Sequence, residues 1–112
     1  MRESGILMPV SSLPGPYGIG CFGKAAFQFV DFLSAAGQTI WQLLPLSPTG
    51  YGDSPYQSCS AFAGNPYFVD LEALEKEGLL TAADLKAESW GKDPLEVDYG
   101  TLYVSRFAVL RK

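Results

Sequence analysis

Asp53 is the sole carboxylate between Asp31 and Asp70, and it lies in Gly50-Tyr51-Gly52-Asp53-Ser54-Pro55-Tyr56, between two tyrosines and beside a serine. A carboxylate and a hydroxyl can accept hydrogen bonds from sugar hydroxyls, while a tyrosine ring covers the apolar face of a pyranose. Pro48, Gly50, Gly52 and Pro55 set the turns of this stretch in advance, which lowers the ordering cost of holding rings up to a ligand. The same residues have structural uses. An Asp before Ser-Pro is a common turn opener, and Tyr51 and Tyr56 serve equally well as packing. Both uses stay open at the level of sequence.

Other chemistries are narrower. The chain has no histidine, which removes Ser-His-Asp nucleophilic catalysis and every histidine acid–base role. Glycosidic cleavage needs two carboxyl groups flanking one bond, and Asp53 has no partner nearby in sequence. Asp70, Glu72, Glu75 and Glu77 read as a solvated helix face. No catalytic pair is therefore visible. Cys21 and Cys59 lie far apart with no CxxC, so no zinc site, no other metal and no cofactor is expected, and the thiols are expected to be reduced rather than paired. Gly18-Ile19-Gly20-Cys21-Phe22-Gly23 is a formal GxGxxG. A loop with Pro14 and Pro16 separates it from the preceding apolar run, and no acidic residue follows between Asp31 and Asp53. A dinucleotide site is thus disfavoured against glycines that let loop and helix approach closely.

The elements that must position the Tyr51–Tyr56 loop follow from periodicity. Ile6–Val10 is a continuous apolar run, as expected of a strand buried on both faces of a parallel sheet. Leu13–Gly20 is broken by prolines and glycines and reads as loop. Ala26, Phe29, Val30, Leu33 and Ala36 recur at helical spacing ahead of Gly37, predicting a helix over 24–36. Thr39–Leu44 predicts a second strand closed by Pro45, and the span becomes a βαβ unit with parallel neighbours. Beyond the loop, a short helix is expected around Leu71 and Leu74 with Gly78 as its stop, and another after Thr81, whose hydroxyl can cap it with Asp84 in the first turn. From Thr101 the spacing of Tyr103, Phe107 and Leu110 predicts a last helix. It reaches Arg111-Lys112 without a stop signal, which reads as a cut.

At 112 residues the chain suits one modest core. Its formal net charge of −4 leaves no basic stripe for phosphates, so nucleic acid is an unexpected partner. The apolar run Ile6–Val10 is too short for a signal-peptide core or a membrane span, and a soluble cytoplasmic protein is expected.

Three longer strings carry a specific likeness: Arg2–Leu7, Ser11–Gly20, and the block from Trp41 to Tyr67 with GYGDSPYQS and AFAGNPY. Together, and down to Val97-Asp98-Tyr99, they closely resemble the N-terminal part of the 4-α-glucanotransferases (amylomaltase or disproportionating enzyme, glycoside hydrolase family 77). The resemblance implies an α/β fold, the N-terminal portion of a (β/α)8 TIM barrel, with this chain holding the first two parallel strands, the first helix and part of the insertion after strand two. It implies transfer of an α-1,4-glucan segment to the 4-hydroxyl of an acceptor glucan by retaining double displacement, with α-1,4-glucans as partners. Asp53, Ser54 and Tyr56 would fall at the substrate subsites, and Tyr51 and Tyr103 at a second glucan-contacting surface. The family's catalytic carboxylates lie in later strands, beyond Lys112, so no catalytic residue is assigned here. Met8 stands where many relatives have histidine. Alternatives that the resemblance leaves are a non-catalytic α-glucan-binding module and an α-glucan hydrolase on the same barrel.

Overall fold

The computed structural model covers residues 1–112. Its elements run β1 (Gly5–Leu7), α1 (Lys24–Ala35), β2 (Ile40–Gln42), α2 (Leu71–Lys76), α3 (Ala82–Lys86) and α4 (Tyr99–Leu110), with 3-10 turns at Val10–Ser12 and Pro66–Phe68. β1 and β2 pair in parallel with Ile6 opposite Trp41, so α1 is the crossover that parallel neighbours require. Two bonds extend the pairing past β1. The Met8 N–H donates to the Gln42 carbonyl at 3.1 Å, and the Trp41 indole donates to the Met8 carbonyl at 2.9 Å.

The crossover helix forms where its pattern predicts. Ala26 and Leu33 are buried on it, and Phe29 meets Trp41 edge-on at 5.1 Å. Gly37 stops it at φ 75° while the Gln38 N–H donates back to the Leu33 carbonyl, the six-to-one closure that a glycine without Cβ permits. The first strand departs from expectation. It ends at Leu7 rather than Val10, because Pro9 has no N–H to give to a ladder and the chain turns there to bury Val10. β2 likewise ends at Gln42, short of Leu44. Nor are the strands buried on both faces: Ile6, Leu7 and Ile40 are exposed, since each strand has only one neighbour.

The GxGxxG glycines serve close approach. A Cβ on Gly20 would stand 1.9 Å from the Val10 carbonyl oxygen, and Gly18, at φ 77°, passes under the Trp90 carbonyl. Asp70 corrects the expectation of a solvated acidic face. Its Oδ1 caps α2 by accepting the Glu72 N–H at 3.1 Å, and its carboxylate packs over Gly23 at the start of α1. Further on, Thr81 and Asp84 form a capping box on α3, as their types suggest. α4 begins at Tyr99, before Thr101, because Asp98 accepts both the N–H and the hydroxyl of Thr101. Small apolar clusters hold these parts together: Leu71, Leu80, Leu85 and Val109; Val10, Leu13 and Ala26; and Ile19, Tyr67 and Leu102.

Candidate functional site

The aromatic loop leaves β2 on its carboxyl side and is closed twice. The outer closure is the Asn65 N–H donating to the Leu46 carbonyl at 2.8 Å. Asn65 itself is buried, and its Oδ1 accepts the Tyr67 N–H, which starts the turn at Pro66. Inside, the Gly50 N–H reaches the Gln57 carbonyl at 3.3 Å, the Asp53 N–H the Gly50 carbonyl at 3.0 Å, and the Gln57 N–H the Ser54 carbonyl at 3.2 Å. Gly52, at φ 88°, takes the third place of the turn that Gly50 and Asp53 close, a place that demands positive φ. The loop is thus held by its own backbone.

Asp53 takes the turn role that its sequence context leaves open. It is the one non-glycine residue with positive φ, 54°. Its Oδ1 accepts the Thr49 hydroxyl at 2.9 Å, while Oδ2 has no partner in the chain and stays open to solvent. Ser54 turns its Oγ to the Tyr56 N–H at 3.3 Å. Tyr51 and Tyr56 do not pack: their relative exposures are 104% and 73%. These four residues share one loop. Tyr103 stands apart on α4, exposed, with its ring edge-on to Phe107 at 5.5 Å. Phe107 in turn meets Tyr67, where the loop ends.

Beneath the loop lies a cavity of about 120 Å³ whose wall includes Thr49, Asp53, Asn65, Tyr67 and Tyr99. Burial pushes both phenols above the ordinary tyrosine value. The Asp53 charge adds to this at each, while Arg106 opposes it at Tyr67 and a hydrogen bond with Ser11 opposes it at Tyr99. Both rings therefore stay protonated donors at neutral pH. Arg106, on α4, is almost fully buried and donates through Nη2 to the Val69 carbonyl, tying the helix to the segment that follows the loop; its Nε has no partner. Burial lowers its pKa from the ordinary arginine value, with Cys21, Asp70 and Tyr67 working the other way.

Thr49, Tyr67, Tyr99 and Arg106 escape sequence reasoning, because a lone threonine, an aromatic near a proline and an arginine in a helix each have many uses. The fully exposed Phe62 in the same loop is a further ring that patterning passes over. Cys21 and Cys59 are free thiols, and no cluster of metal-ligating side chains forms.

A parallel βαβ frame carrying a hydrogen-bonded aromatic loop at the carboxyl side of its strand is an α/β arrangement. Its likeness to known proteins is more specific. Residues 8–112 match the family described as 4-alpha-glucanotransferase, glycoside hydrolase family 77, and the chain belongs to that family. A 4-alpha-glucanotransferase of Streptococcus pneumoniae is 57% identical over 99% of this chain, and one of Thermus thermophilus 50% identical over 99%. The amylomaltase of Streptococcus agalactiae, solved in complex with acarbose, superposes on 99% of the chain with a TM-score of 0.94 and 50% identity. The chain spans 22% of the pneumococcal relative, 21% of the Thermus one and 22% of the solved amylomaltase.

Proposed function

We propose that this chain is the N-terminal part of a (β/α)8 barrel that transfers segments of α-1,4-glucans to acceptor glucans in the cytoplasm. Asp53, Ser54 and Tyr56 form part of its substrate site, and Tyr51 and Tyr103 a second glucan contact. The observation that carries this is the preformed loop of a family member, with two tyrosine rings in solvent and one carboxylate oxygen left free. Barrel enzymes build their sites from loops at the carboxyl ends of strands, and the loop leaves β2 on that side. Transfer with retention needs a nucleophilic carboxylate and an acid–base carboxyl about 5 Å apart. The loop offers one carboxylate, so the pair comes from outside these residues. Tyrosine rings cover sugar faces, and Asp53 accepts a hydrogen bond from a sugar hydroxyl.

The test is incubation of a full-length polypeptide carrying this chain with maltotriose. Longer and shorter glucans appearing together support the proposal. Glucose release without longer products refutes transfer in favour of hydrolysis, and retention on immobilised starch without turnover favours a binding module.

A further inference from the structure

Thr49 is the one side chain that hydrogen-bonds the Asp53 carboxylate, and nothing in its type marks it beforehand. Asp53 holds a left-handed backbone, which disfavours residues with a Cβ. Its neighbours Tyr51 and Tyr56 are in solvent and bring it no packing. What opposes the strain is local: the turn bond from the Asp53 N–H to Gly50, and the Thr49 hydroxyl on Oδ1 at 2.9 Å. The hydroxyl donates to Oδ1, which fixes which oxygen of the carboxylate is used. Oδ2 is then left as an acceptor open to solvent.

We infer that Thr49 is a positioning residue: its hydroxyl holds Asp53 in the left-handed conformation and aims Oδ2 at a hydroxyl of the ligand. This deepens the proposed function, since it rests on Asp53 being a glucan contact. Recognition by such a group is for a neutral donor hydroxyl, as on a sugar, and against anionic ligands, which the fixed carboxylate repels.

The experiment uses a full-length polypeptide carrying this chain, isotopically labelled, with Thr49→Val, Thr49→Ser and Asp53→Ala. Backbone couplings report φ at Asp53, and titration with maltotriose reports affinity. T49V is expected to release Asp53 from positive φ and to weaken maltotriose binding about tenfold, as for loss of one hydrogen bond to a charged group, whereas T49S keeps both. If T49V leaves φ at Asp53 positive, the inference is overturned, and this comparison decides even where no variant binds glucan measurably. Asp53→Ala with undiminished affinity overturns the substrate-site reading instead, whatever T49V does to φ. Melting curves of T49V and T49S that coincide exclude general unfolding as the cause; should T49V melt early, a Thr49→Asn variant, which keeps a donor, supplies the second comparison and must restore positive φ.

Discussion

At the residue scale the loop places on Asp53 both a left-handed backbone and the proposed ligand contact. A left-handed residue with a Cβ costs about 1 kcal/mol or more relative to glycine. Asp53→Gly is therefore expected to be more stable than Asp53→Ala by about that much in thermal or urea unfolding, although both lose the carboxylate. Equal stability of the two would show that the backbone at 53 relaxes freely. A second residue acts only through what it lacks. Gly20 has the Val10 carbonyl where its Cβ would be, and a backbone atom cannot swing aside as a side chain can. Gly20→Ala should accordingly prevent the loop from closing back on the Val10–Leu13 turn and lower the melting temperature sharply, while Gly37→Ala, which meets nothing within 4 Å, loses only the preference of glycine for positive φ.

At the scale of elements, helix ends were the most legible part of the sequence, because a cap is a short-range bond between side chain and neighbouring backbone. Thr81 with Asp84 and the Gly37 stop read directly, and α1 lies where its periodicity predicts. Strand length and burial read poorly. The apolar run Ile6–Val10 looks the same whether Val10 lies in a ladder or turns inward, and the exposure of Ile6 and Leu7 depends on neighbours that local sequence does not contain. In the loop, Asp53, Ser54 and Tyr56 stood out by type, whereas Thr49 and Tyr99 depend on contacts that only folding brings together.

The α3 cap also carries a pH dependence. Hydrogen bonds from Lys112 and then Thr81 hold the Asp84 carboxyl down at about 2, from 3.8. A depressed carboxylate stabilises the folded form above its unfolded value, and that contribution is lost as pH falls through the folded one. Between pH 4 and pH 2 the wild type should therefore lose stability that Asp84→Asn never had, so their melting temperatures converge. Thr81→Ala should cost about 1 kcal/mol at neutral pH, the usual effect of removing a helix cap. A constant difference between wild type and Asp84→Asn across this range would remove Asp84 as the titrating group.

At the scale of the molecule, the chain is a family member that spans about a fifth of its relatives' length. Parallel sheets are ordinarily covered on both faces, yet here Leu7 and Ile40 are exposed on strands that each pair along one edge, and Phe27 and Phe32 stand in solvent on α1. Its fully buried side chains form three small clusters, bridged only by the half-buried Phe68 and Trp90. Open strand edges and exposed rings favour association, while small clusters give little cooperativity. The 112-residue chain by itself is therefore expected to show a sedimentation coefficient that rises with concentration and a broad thermal transition. A sharp two-state melt in a dilute monomer would contradict this. The same chain should leave maltotriose unchanged, because the loop supplies one carboxylate where displacement with retention needs two. Disproportionation by the chain alone would move the chemistry into these residues, and Asp53 would then require a partner acid among Asp70, Asp98 and the glutamates of α2.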